Sequence, residues 1–215
     1  MKKFISILLA TLILFSAFFS ISAFATENTV TEDSAPVQEL LSPKWVEEHG
    51  DEYAADATVH TLGILITKGE LKVKGNESAA KTDYQYGNNG LPKTTVYNND
   101  GNFMYYHDLP FFYAKVTNAT NTREDIEYTF IESYEEDFYY VEYYKAINNR
   151  EARMYFKDGE LKKYVIKDST SGLTATYEYI ITSYEVDDNE VKLPSTAIFD
   201  ITFIYNILKL FGVVS

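Results

Sequence analysis

Short runs of β-branched and aromatic residues, broken by Gly, Asn and Asp, follow one another along the chain from about residue 58. In EARMYFK, residues 151–157, Ala152, Met154 and Phe156 alternate with polar side chains and Tyr155. This period of two predicts a strand with one face on a core and the other toward water. Turn residues recur at roughly the 8–12 residue spacing that antiparallel β proteins show.

The sharpest turn signal is Asp158-Gly159, which stands between two such runs. A tight hairpin turn of type I′ needs positive φ at both central residues, and Gly adopts it freely while Asp does so better than most residues. Lys68-Gly69 and Asn99-Asp100-Gly101 separate further pairs of runs, and we expect turns there too. The pattern therefore predicts a series of β-hairpins.

One strand departs from the alternation. In DFYYVEYY, residues 137–144, both faces carry aromatic rings: Phe138, Tyr140 and Tyr144 on one side, and Tyr139, Val141 and Tyr143 on the other. Either something covers both faces of this strand, or one face lines a groove.

The two ends of the chain differ from its middle in composition and in predicted structure. Residues 26–41 are polar and acidic, which predicts a flexible linker. A short helix is predicted from Ser42, its expected N-cap, with Pro43 in the first turn and with Trp45 and Val46 on the buried side.

At the other end, residues 203–215 are apolar nearly all round. They predict a buried core helix or a final strand with a tail, with peripheral membrane or partner contact as the alternative. We place a single domain at 42–215.

The first 25 residues have the form of a secretory signal peptide. Lys2 and Lys3 precede an apolar stretch, and small residues end at Ala23-Phe24-Ala25, an A-x-A type cleavage site. An N-terminal membrane anchor is the alternative, although the apolar stretch is shorter than the ~20 residues of a spanning helix. We expect a secreted or extracytoplasmic protein, and the lysine-led signal with an Asn-, Lys- and Tyr-rich body is typical of bacteria.

Composition limits the classes of partner and site that this chain can have. Removal of residues 1–25 takes away two lysines and no acid, and so moves the formal charge from −13 to −15. Nucleic acid is an unsuitable partner for such a chain, because phosphate binding depends on clustered Lys and Arg. There is no cysteine, which excludes thiol catalysis, thiolate metal sites and a lipid-attachment Cys.

Three patterns in the sequence resemble parts of catalytic or metal sites. Ser78 and Lys81 have the S-x-x-K spacing of some serine enzymes, but the surroundings read as turn and strand and the accompanying motifs are missing. Residues 47–52, EEHGDE, contain one His among acids, which is less than zinc sites usually need. Paired carboxylates are common, yet a hydrolase would need a polar cleft where two acids converge. We expect no enzyme activity, metal or cofactor.

The second half resembles the closing half of the LolA-like lipoprotein-carrier superfamily. The resemblance lies in the Asp158-Gly159 hairpin, the long strand after it, and the short Val191-Lys192-Leu193-Pro194 segment. It implies a single curved antiparallel sheet, an incomplete barrel in a mostly β α+β fold, with one or two helices against its concave side. Acyl chains bind between sheet and helices in such proteins.

Tyrosine is the unusual residue of this composition, with 19 in the chain. Together with the resemblance, it predicts a non-enzymatic protein that binds a lipid, acyl chain or other amphiphile in the concavity of its sheet. The residues expected to line the site are Tyr139, Tyr143, Met154, Phe156, Tyr177 and Tyr179. The alternative is an extracellular module that contacts a protein or the cell wall through an exposed tyrosine-rich sheet face.

Overall fold

The structure is a computed structural model that describes residues 39–86, 93–99, 102–109, 112–118, 127–146, 149–169, 172–193 and 199–210. The predicted signal peptide and almost all of the predicted linker lie outside these residues. In the described part, no helix is long and apolar enough to cross a membrane.

In the described residues, twelve strands form one sheet, and three short helices accompany it. The strands are β1 (Glu52–Thr61), β2 (Ile64–Lys74), β3 (Glu77–Gln85), β4 (Thr94–Asn99), β5 (Asn102–Leu109), β6 (Phe112–Asn118), β7 (Tyr128–Glu136), β8 (Tyr139–Ala146), β9 (Arg150–Lys157), β10 (Glu160–Asp168), β11 (Ala175–Ser183) and β12 (Phe199–Asp200). The helices are α1 (Leu41–His49), α2 (Asp188–Val191) and α3 (Thr202–Leu210).

The strand order is β12-β6-β5-β4-β3-β2-β1-β11-β10-β9-β8-β7. Neighbours are antiparallel except for the short parallel pair β12 and β6. The two end strands do not pair with each other, so the sheet is an incomplete barrel. The predicted fold class, a mostly β protein with one curved sheet, is confirmed.

Tight hairpins join most neighbouring strands. Asp158 and Gly159 have φ of 55° and 81°, and the predicted turn is confirmed. The turn predicted at Lys68-Gly69 is wrong, because β2 runs through both residues and the turns lie at Leu62-Gly63 and at residues 75–76. Gly69 serves the sheet instead: a Cβ there would lie 2.0 Å from the carbonyl oxygen of Lys81, at a register shift between β2 and β3.

The inner face of the sheet carries the main core. Its buried side chains come from β1 to β4 and from β7 to β11, and they form one cluster with Trp45 of α1. The alternation predicted for residues 151–157 is confirmed, since Ala152, Met154 and Phe156 belong to this cluster. On the outer face, Val186 and Val191 pack against Ala54, so the segment that contains α2 crosses the back of β1.

Helix α1 begins at Leu41, and Ser42 lies inside it, so the predicted N-cap is wrong by two residues: the N-cap is Leu40. Trp45 is buried as expected. The strand region starts earlier than predicted, since β1 begins at Glu52 directly after the helix.

The C-terminal segment forms β12 and α3, but α3 is not a buried core helix. Phe203 and Leu210 are 75% and 82% exposed, and Ile204 and Ile207 are also exposed. Val191 ends α2, and Lys192 and Leu193 belong to no strand, so the described part of the V-x-L-P segment does not close the sheet; β12 is the end strand beside β6.

Candidate functional site

On the inner face, the size of the side chains changes along one row of paired residues. From β10 to β4 the row reads Tyr164, Tyr179, Ala57, Gly69, Thr82 and Thr94, each the register partner of the next. Two large rings are thus followed by four small residues. In the next row, Ala55 and Ala80 are small residues on β1 and β3, with the buried Leu71 of β2 between them. We call this strip of small residues on the inner face the trough; its residues, all buried, are Ala55, Ala57, Gly69, Ala80, Thr82 and Thr94.

A wall of tyrosines borders the trough. The rings of Tyr164 and Tyr179 stack with centroids 4.4 Å apart and an angle of 16° between their planes. Burial raises the pKa of Tyr53 to about 12. Burial likewise raises the pKa of Tyr164 and of Tyr179 well above the ordinary value. These phenols therefore stay neutral and present ring faces rather than charge to the inside of the sheet.

Glu142 holds the N-terminus of α1 against the inner face. Its carboxylate accepts hydrogen bonds from the backbone N–H of Leu41 at 2.5 Å and of Ser42 at 3.1 Å. Tyr144 donates its hydroxyl to the same carboxylate at 2.9 Å, and Tyr144 and Ser42 also share a hydrogen bond between their hydroxyl groups. Glu142 is 0% exposed, so this one side chain supplies the acceptors that the first turn of the helix lacks.

The rest of α1 is fixed through Trp45. Its indole ring lies 5.6 Å from the ring of Tyr53, and its Nε1–H donates to the Tyr184 hydroxyl at 3.3 Å. Tyr184 in turn donates to the carbonyl of Leu161 at 2.8 Å, and its ring stacks on His49 at 4.3 Å. The helix thus spans from β8 to the loop after β11 and covers the tall, tyrosine-rich side of the inner face.

The six residues predicted to line the site lie on two faces. Met154, Phe156, Tyr177 and Tyr179 are buried on the inner face, in the core that borders the trough. Tyr139 and Tyr143 point to the outer face, because the register pairs Val141 between them with Tyr155. The structure therefore does not bring the six together, and the ligand role assigned to them stays a prediction.

Cations cover the outer tyrosines. The Lys163 ammonium lies 4.3 Å from the ring centroid of Tyr155, and the Arg153 guanidinium lies 4.7 Å from that of Tyr143. Tyr139 contacts Tyr155 edge-on with centroids 5.9 Å apart. On the outer face of β8, aromatic rings and cationic side chains of this chain are thus packed against one another.

The described residues also form a pocket of about 210 Å³ on the outer face, over β2, β3 and β4. Its rim is polar and charged, with Lys72, Lys81, Glu70 and Glu190 around Tyr97. It is therefore not the apolar concavity that the sequence predicts.

Two other sequence candidates are placed by the strands. Ser78 and Lys81 are three residues apart on β3, and a strand puts such residues on opposite faces. Among the described residues, no group of three or more His, Asp or Glu side chains is arranged to hold a metal ion.

Sequence reasoning missed Glu142 and the trough. A signal for Glu142 exists: it is the one acid within YYVEYY and stands at an inner position between Tyr140 and Tyr144. The trough leaves a weaker signal in the sequence. Small residues on separate strands can be recognised as neighbours only when the pairing register of the strands is known.

Comparison with known proteins gives similar structures only. No protein family profile matches the chain, and no curated protein matches it. An uncharacterized conserved protein from Thermus thermophilus is similar at 10% identity and a TM-score of 0.45, over 73% of this chain and 94% of that one. A LolA superfamily protein from Nitrosomonas europaea is similar at 11% identity and a TM-score of 0.36, over 66% and 90%.

A LolA superfamily protein is thus among the solved structures to which this chain is similar. Both TM-scores are below 0.5, so the function proposed below rests on the sheet of this chain.

Proposed function

We propose that this protein binds the apolar part of an amphiphilic ligand, such as a lipid or acyl chain, on the inner face of its curved sheet, and that it does so without catalysis. The observation that carries the proposal is the trough: a strip of small residues on four neighbouring strands, bordered by the stacked pair Tyr164 and Tyr179.

The chemistry of the trough suits a narrow apolar chain. Methyl groups of Ala55, Ala57 and Ala80 supply apolar contact, and at Gly69 no side chain rises from the floor. Burial of an alkyl chain stabilises a complex by ~0.8 kcal/mol per CH₂. The row also ends on Thr82 and Thr94, whose hydroxyls suit a polar group at one end of the ligand.

Helix α1 serves this function as a cover on the side of the tyrosine wall. It is held by the hydrogen bonds of Glu142 and by the buried ring of Trp45, rather than by a strand pairing. Such an attachment opens without breaking the sheet, because the backbone hydrogen bonds of β8 and β10 do not depend on it.

The location of this activity is part of the proposal. Lys2, Lys3, the apolar stretch after them and Ala23-Phe24-Ala25 support export from the cytoplasm. An exported binding protein of this kind would take its ligand from a membrane or from the cell envelope.

The test is native mass spectrometry of residues 26–215, purified without detergent, together with titration of a fluorescent fatty acid. We expect copurified acyl species and saturable binding. Ala57→Leu fills the floor of the trough and should weaken binding at least tenfold, whereas Thr58→Leu, the next residue on the opposite face of β1, should not. Ala57→Val is the smaller step if the leucine variant unfolds.

No acyl species and no fatty-acid binding by the wild-type protein would contradict the proposal. Equal effects of Ala57→Leu and Thr58→Leu would place binding elsewhere and contradict the role of the trough.

Contact through the outer tyrosines is the second candidate. It is less favoured because Lys163 and Arg153 already lie on the rings of Tyr155 and Tyr143. A partner would have to displace these cations before it reached the rings.

A further inference from the structure

The hairpin between β7 and β8 presents a strained and exposed aromatic residue. Phe138 has φ of +68° and is 92% exposed, and Asp137 before it has φ of +48°. The sequence pattern placed Phe138 in the strand, on one face with Tyr140, and this prediction is wrong. For a bulky residue, positive φ is an outlier that sterics disfavour.

Two other hairpins of the same sheet show what this turn normally contains. Leu62-Gly63 and Asp158-Gly159 also have positive φ at both positions, and in each the second residue is Gly. At 137–138 the same geometry occurs with Phe in the place of Gly. The β7–β8 hairpin therefore carries a residue that its own turn disfavours.

Packing within the chain does not offset the free-energy cost of this strain. A side chain that is 92% exposed gains little from burial, and glycine would relieve the strain at this position. Strained residues that fold stability does not require concentrate at sites of function. A contact outside the chain would supply the gain that packing within the chain does not.

We propose that Phe138 is the anchor of a protein-binding site and that it enters an apolar pocket with a basic rim on the partner. The tip lies at the end of the sheet, since β7 is an edge strand, so a partner meets no obstruction from a further strand. Aromatic residues are enriched among interface anchors because they bury a large area with few rotatable bonds.

Charge identifies the chemistry of the partner. Glu135, Glu136 and Asp137 precede Phe138 directly, and all three are exposed. A basic rim would pair with these carboxylates and speed association. A bilayer is the less suitable partner, because insertion of Phe138 would bring three carboxylates to a headgroup region whose anionic lipids repel them.

The test begins with a photoreactive benzophenone amino acid at position 138 of the full chain, in the cells that make the protein. The control places it at Asn76, an exposed turn residue between β2 and β3. We expect a protein adduct from position 138 and none from position 76.

The adduct counts as support only if the purified partner, titrated against the wild-type chain, passes two further tests. Phe138→Ala, which keeps the strain and removes the ring, and Phe138→Gly, which removes both, should each weaken binding at least tenfold. Glu135→Gln with Glu136→Gln should weaken binding several-fold and reduce its dependence on salt.

Three results would overturn the proposal. They are equal adducts from positions 76 and 138, unchanged affinity of the two Phe138 variants, and binding of the wild-type chain to phosphatidylcholine and phosphatidylglycerol vesicles that disappears in Phe138→Ala while no protein adduct forms. If the cross-linked partner bound the chain with Glu135→Gln and Glu136→Gln as tightly as the wild-type chain, the proposal of a basic rim would be overturned.

Discussion

The carboxylate of Glu142 on β8 accepts a hydrogen bond from the backbone N–H of Ser42, 100 residues earlier in the chain, at 3.1 Å. The first turn of a helix leaves its N–H groups without partners inside the helix, and α1 receives no cap from the side chain of its own N-cap residue. A strand residue thus does the work of a cap and fixes where the helix lies.

Glu142→Gln should loosen α1 and lower the free energy of unfolding by about 1–3 kcal/mol, because an amide group placed among N–H donors leaves part of this buried network unmade. Trp45, the only tryptophan of the chain, lies in α1 and reports on it by fluorescence. We expect Trp45 emission to shift at a lower urea concentration than the loss of strand circular dichroism.

Glu135→Gln is the control, since Glu135 is an exposed acid on the adjacent strand β7. Coincident transitions at the wild-type midpoint in Glu142→Gln would contradict the role of Glu142 in holding the helix.

The segment that carries α2 should detach from the sheet in acid. Lys74 contacts Glu52 at 3.2 Å, Asp188 at 3.1 Å and the carbonyl of Val186 at 2.6 Å. The Lys74 ammonium holds the pKa of Asp188 below its ordinary value, and the Val186 N–H and then Lys74 do the same for Glu52. A lowered carboxyl pKa stabilises the folded form above the ordinary pKa, and this contribution is lost as pH falls through the lowered value.

We therefore expect the amide protection factors at Val186 and Val191, which correct for the intrinsic effect of pH on exchange, to fall as pH drops below about 4, before those of the central strands fall. Lys74→Met should show fast exchange there already at neutral pH, and Lys44→Met, which breaks an exposed pair within α1, should not. Uniform exchange of this segment and of β10 across the pH range would refute the separate detachment.

The sequence predicted the sheet well and the site poorly, for a physical reason. Alternation at residues 151–157 and the Asp158-Gly159 turn are local properties, and the structure confirms both. The role of Gly69 depends on the backbone of β3, and the role of Glu142 on a helix 100 residues away. Contacts of this range need the register, which no local pattern contains.

The buried tyrosines should resist ionisation in alkali. The pKa of Tyr53 is raised from the ordinary 10 to about 12, chiefly by burial, and Tyr164 and Tyr179 are raised as well. A raised pKa in the folded state gives stability that is complete below the unfolded value and is lost as pH rises toward the folded value. Unfolding should therefore set in above about pH 10.

Absorbance at 295 nm measures this directly. We expect two phases, an early one and a late one that comes from the buried tyrosines and coincides with loss of circular dichroism. Tyr164→Phe should reduce the late phase by about one tyrosine and leave the early phase unchanged. A single phase centred near pH 10 in the folded protein would contradict the buried wall.

The hairpin turns at 137–138 and 158–159 allow the strain at Phe138 to be measured apart from any binding. Both turns hold positive φ at both positions, but their second residues are Phe138 and Gly159. Because a non-glycine residue in this region costs roughly 1–2 kcal/mol, Phe138→Gly should be more stable than Phe138→Ala by about 1 kcal/mol in denaturant unfolding. Gly159→Ala should lower stability by a similar amount, since it introduces at one hairpin what the other already carries. If Phe138→Gly proved no more stable than Phe138→Ala while Gly159→Ala was destabilised, Phe138 would be unstrained, and its exposure alone would have to account for its presence at the tip.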